Sequence, residues 1–169
     1  MWREFVRVFN EAVAVDYPAV EVARSFQPTT QGRQSGPALL IHRTRSRRYG
    51  AQGTITEIAP DASRAFEHSV WRKEDTIRAT FVAPKTAAFD AQDVLETVAA
   101  YLQSEGGIVS LARVGIGLLR VNDIDEVPFE NEKGAFEYEA GIDCVFTYTQ
   151  TKTKEIPVIG RVERSIHRV

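Results

Sequence analysis

The chain has 169 residues, of which 43% are apolar and 26% charged, with a formal net charge of −2. That length and balance suit a single folded domain over residues 1–169, exclude global disorder, and give no overall pull towards nucleic acid or anionic lipid. One cysteine, Cys144, excludes an intrachain disulfide and a multi-cysteine zinc site, and apolar runs of four or five residues fall far short of a membrane span.

Residues 2–15 place Trp2, Phe5, Val6, Phe9 and Val13 on one face of a helix that Tyr17-Pro18 ends, because the residue before proline is pushed out of the helical region. Arg3, Glu4, Arg7 and Glu11 interrupt the apolar pattern, unlike the clean apolar segment of an export signal. Ala19–Phe26 suits a short strand with Val20, Val22 and Phe26 on one side, and residues 28–37, with two Pro, two Gly and no apolar side chain besides proline, read as a loop. Residues 38–48 begin as a buried strand and finish as a basic one. Residues 49–63, with Gly50, Gly53, Pro60 and Asp61, are expected to be turn-rich. Over 65–83, Ile77, Ala79, Phe81 and Ala83 alternate with Thr76, Arg78, Thr80 and Val82, which predicts a strand or strand pair; pattern alone leaves open whether 73–75 turns or runs straight on.

Asp90 is a suitable N-cap, with Asp93 in the first turn of a helix whose stripe is Val94, Leu95, Val98, Tyr101 and Leu102. Gly106-Gly107 is expected to break it. A second short helix around Ile108, Val109, Leu111 and Ala112 closes at Gly115. Ile116–Val121 is strand-like and 122–134 is expected to be an acidic loop. In 135–149, Phe136, Tyr138, Ala140, Ile142, Cys144, Phe146 and Tyr148 share one face, opposite Glu137, Glu139, Gly141, Asp143, Val145, Thr147 and Thr149. Fifteen extended residues reach roughly 50 Å, more than a small domain covers. Such a strand either bends at Gly141 through a bulge or offers an end to another chain. A last strand is expected in 158–166. Helices segregated from antiparallel strands give an α+β fold class, a mixed sheet of long strands against two or three helices.

No catalytic constellation emerges. There is no G-x-S-x-G elbow, Cys144 sits on the apolar face of a strand, and His42, His68 and His167 lie far apart without metal-ligand spacing. Asp123, Asp125, Glu126, Glu130 and Glu132 lack the spacing of a calcium loop. Catalysis, a cofactor and a metal are therefore not expected. The feature that stands out is the row Arg43, Arg45, Arg47 and Arg48. Guanidinium forks suit phosphates, so a nucleic-acid-binding module is one reading. No aromatic residue interleaves the row, and it matches as well the acids Glu130, Glu132, Glu137, Glu139 and Asp143 of a neighbouring copy. These nine residues are the candidate subunit-interface set.

The ordered elements from VLETVAAYLQSEGG through VGIGLLRVNDI, the acidic proline-containing stretch and the long strand ending FTYTQTKTKEIPVI resemble the phage neck terminator family (tail terminator, tail-completion) of long-tailed phages. The likeness is good over 65–163 and loose elsewhere. It implies an α+β subunit of a homo-oligomeric ring, typically a hexamer, that caps the tail tube and joins it to the neck and head–tail connector, with tail sheath as a further neighbour. It also implies DNA in transit through the lumen, no membrane partner, and a place in the virion tail or neck after assembly in the host cytoplasm.

Overall fold

The fold begins with an amphipathic helix, α1 (Trp2–Val13), that buries Phe5, Val8, Phe9, Ala12 and Val13. A computed structural model describes residues 1–24, 36–59, 64–83, 90–130 and 136–158, and for 126–130 and 136–139 the backbone alone. The further described elements are β1 (Glu21–Arg24), β2 (Ala38–Ile58), β3 (Ala65–Val82), α2 (Ala91–Gln103), α3 (Glu105–Ala112), β4 (Ile116–Glu130) and β5 (Phe136–Ile156). The strands form one sheet in the order β1-β2-β3-β5-β4. β1 runs parallel to β2, with Glu21 opposite Ala38, and β5 runs antiparallel to β4, with Tyr148 opposite Ile116. The sheet is thus mixed and the fold is α+β, as the element pattern implied.

The chain divides into two compact units: residues 1–47 with 73–148, and residues 48–72 with 149–169. The first holds the core. Phe5 and Phe9 of α1 meet Phe146 of β5 at ring-centroid distances of 4.9 and 6.3 Å. Val94, Leu95, Val98 and Leu102 of α2 join Leu39, Ile41, Ile77, Phe81 and Ile142 from three strands, all essentially inaccessible to water. Each such side chain contributes about 1.5–3 kcal/mol by leaving water. The second unit contains stretches of β2, β3 and β5, and of its described residues only Ala65 and Trp71 are buried.

Asp90 caps α2 as expected, its side chain accepting the Gln92 N–H at 2.8 Å. The break after α2 falls at Ser104, in extended backbone, and not at Gly106-Gly107, which lie in the first turn of α3. Gly107 is required there because a Cβ would stand 2.2 Å from the Tyr101 carbonyl oxygen, closer than any real contact. Gly115, at φ +71°, closes the turn after α3 in the left-handed region that glycine tolerates.

Two stretches expected to be irregular are strand, and so is a third that the pattern left open. β2 continues through 49–58, carrying Gly50 at φ +75°, and the Ala59 N–H donates to the Arg64 carbonyl at 2.9 Å. Pairing with β3 overrides the weak turn tendency of two glycines; Pro60 and Asp61 lie outside the described residues. β3 is one strand, Ala65–Val82, so 73–75 lies mid-strand. β4 includes 122–130, because each residue from Ile124 to Glu130 finds a backbone partner on β5, and Pro128 is tolerated because β4 is an edge strand. The irregularities of this pair lie between Leu118 and Arg120 and between Val121 and Ile124 of β4, while Gly141 sits in regular register opposite Asp125. β5 is longer than expected, 21 residues. Phe26, most of the 28–37 loop and the strand expected in 158–166 lie outside the described residues, apart from Gly36, Pro37 and the non-strand Val158.

Candidate functional site

The arginine-bearing part of β2 meets β3 within the chain. The Arg43 Nε lies 3.0 Å from Asp75 Oδ2, and Asp75 is fully buried. The Tyr148 hydroxyl of β5 donates to the same oxygen at 2.8 Å, while the Ser46 hydroxyl donates to Oδ1. A carboxylate removed from water is costly unless its lone pairs are used, and here β2 and β5, on either side of β3, supply the donors. Burial first, then the hydrogen bond to Asp75, pushes the Tyr148 phenol up to about 12.

One step along, Arg47 forks onto Glu74, Nε to Oε1 at 2.7 Å and Nη2 to Oε2 at 2.8 Å. This geometry holds the Glu74 carboxyl below its ordinary range, with the Arg45 and Arg120 charges adding to the effect. Arg47 is half exposed, while the Glu74 side chain is largely covered, at 11% exposure. Arg45 itself is exposed, with no carboxylate in salt-bridge contact among the described residues. In the second unit, Arg48 lies over the Trp71 ring, 4.3 Å from its centroid.

Asp143, expected to face a neighbour's arginines, lies 3.3 Å from Arg78 Nη1 within the chain, and Asp125 lies 3.6 Å from the same nitrogen. Gly141 makes room for the guanidinium: a Cβ there would fall 2.6 Å from the Arg78 Nη2. Glu132 lies outside the described residues. Glu130, Glu137 and Glu139 are placed by backbone only, opposite Phe136, Phe129 and Val127. The structure therefore brings together Arg43 with Asp75, Arg47 with Glu74, and Asp143 with Arg78. The β3 partners are not evident from the arginine row itself; the signal for Asp75 is that it shares the phase of Ile77, Ala79 and Phe81, which are buried.

A second polar cluster ties the helices. Glu11 accepts from the Tyr101 hydroxyl at 2.9 Å and from Ser110 at 2.7 Å, while Arg7 bridges Glu4, Glu11 and Ser110. Burial alone would raise the Glu11 carboxyl; hydrogen bonds from Ser110, Tyr101 and Arg7 overcome it and hold the group low. Neither cluster pairs a nucleophile with a base. Burial pushes the Cys144 thiol up to about 12, which keeps it protonated and inert at neutral pH. His68 contacts Thr153 at 3.0 Å and Glu57 at 3.1 Å, and His42 is half-buried on β2. Among the described residues, no group of three His, Cys, Asp or Glu side chains could hold a metal ion.

The site is thus a set of charged side chains on sheet strands. No curated protein matches the chain. A solved structure, the sheath/tube terminator of an extracellular contractile injection system (PVC) in its extended state, aligns with 9% sequence identity and a TM-score of 0.45. The alignment covers 100% of this chain and 64% of that one, so the present chain spans less than two thirds of the other's length. The family model described as "E217 gateway protein gp29" matches residues 6–158, nearly the whole described fold, and the chain belongs to this phage family.

Proposed function

We propose that the protein is a structural, non-enzymatic component of a phage virion, placed at the head-proximal end of the tail. Copies of the chain close into a ring, six in number, that caps the tail tube and joins it to the neck and head–tail connector. DNA passes through the lumen, and sheath is a neighbour where the tail contracts. Assembly takes place in the host cytoplasm. The observation that carries this reading is the family match over 6–158, under the description of a gateway protein. Physical support comes from the second unit, whose strand stretches leave all but two of the described side chains at least partly exposed. Strands without cover of their own gain stability when other chains cover them.

A nucleic-acid-binding role for Arg43–Arg48 has less support, because Arg43 and Arg47 already hold carboxylates within the chain. Size-exclusion chromatography with light scattering, together with negative-stain images, tests the ring. The expected result is a closed particle of six copies, formed alone or on added tube protein. A particle that stays monomeric at high concentration and with tube protein present overturns the reading.

A further inference from the structure

We propose that copies of this chain join edge to edge, with the β2 edge at residues 49–58 of one copy adding to the β5 edge at residues 149–156 of the next. This rests on the ring reading above and names the contact within it. The sheet order makes β2, β3 and β5 consecutive. β1 accompanies β2 only along 38–41, and β4 accompanies β5 only as far as Tyr148. Among the described residues, then, the second unit is three strands wide with two open edges. Each presents a row of backbone N–H and C=O groups that another strand can take up.

The two edges differ in the way a head-to-tail contact needs. From Tyr49 to Thr56 the β2 edge carries no charge and no proline, the two usual guards of an open edge, and Ile55 and Ile58 are 61% and 60% exposed. Glu57 is the one charged residue in 49–58. The β5 edge carries Lys152, Lys154 and Glu155, one net positive charge. Pairing β5 with its own kind sets lysine against lysine, whereas pairing it with β2 sets lysines near Glu57. The occupant that fits both open edges at once is therefore a second copy. A contact between unlike patches repeats from copy to copy and closes when its rotation divides the circle.

The test uses two preparations, each with one added cysteine, Thr54→Cys and Thr151→Cys, mixed and treated with a short bismaleimide. Cys144 is fully buried and does not compete. The expected result is a covalent dimer in the mixture at least tenfold more abundant than in either preparation alone. Adding Ile55→Lys to the Thr54→Cys copy places a charge on the open edge; it should reduce the cross-link at least tenfold while leaving the melting temperature unchanged. Light scattering on the same samples separates the two readings. A ring without the mixed cross-link, or with equal cross-linking in one preparation alone, overturns the edge pairing and leaves the ring standing. A monomer under every condition overturns both.

Discussion

At the scale of single residues, Asp75 is the most consequential side chain outside the apolar core. It has no contact with water and is held by Arg43, Ser46 and Tyr148. Asp75→Ala leaves Arg43 and the Tyr148 hydroxyl facing an emptied site, and should cost about 2–4 kcal/mol in chemical denaturation, towards the lower end because Arg43 is 31% exposed. Tyr148 offers a spectroscopic check. Its folded value lies near 12, above the ordinary phenol, so its contribution to stability is complete below about pH 10. That contribution is lost as pH rises through the folded value. Ultraviolet titration should show a late-ionising tyrosine that Tyr148→Phe removes, and the variant's alkaline stability should fall less steeply over that window. Glu11 gives the mirror case. Its lowered value means stability held above the ordinary carboxyl range and lost as pH falls through the folded value, so Glu11→Gln should flatten the acid limb of a melting-temperature profile.

At the scale of elements, helices were more legible in the sequence than strand ends. Asp90, the stripe from Val94 to Leu102 and Gly115 carry local chemistry that acts within one turn, and the structure uses each as expected. Strand continuation depends on a distant partner. Gly50, Gly53 and the acidic 122–130 look irregular in isolation, and become strand because β3 and β5 lie alongside. The same reasoning explains the candidate interface. The arginines were visible, but the carboxylates that hold them, Glu74 and Asp75, sit on a neighbouring strand whose register no local pattern states. Ser104 shows how one side chain governs two elements, since its hydroxyl donates to the Tyr101 carbonyl at 2.6 Å and accepts the Gly107 N–H at 3.2 Å. Ser104→Ala removes both contacts and should cost about 1–2 kcal/mol, read from the urea midpoint at constant slope.

At the scale of the whole molecule, folding and assembly should separate. Ile142 is fully buried on β5, so Ile142→Asp puts an unpaired charge into the core and should abolish the cooperative melt. Arg45 is exposed and without an intrachain carboxylate partner among the described residues, so Arg45→Glu should melt like the parent while shifting light-scattering mass towards the monomer. Equal thermal damage from both substitutions would contradict this division. The near absence of buried side chains among the described residues between 48 and 72 has a kinetic consequence as well. Amides there have little to keep them closed once a hydrogen bond breaks, so in deuterated water that stretch should exchange well ahead of α1 and α2. If neighbours cover it, the gap in exchange times becomes a clock for assembly: wide in isolated subunits, narrow in finished particles.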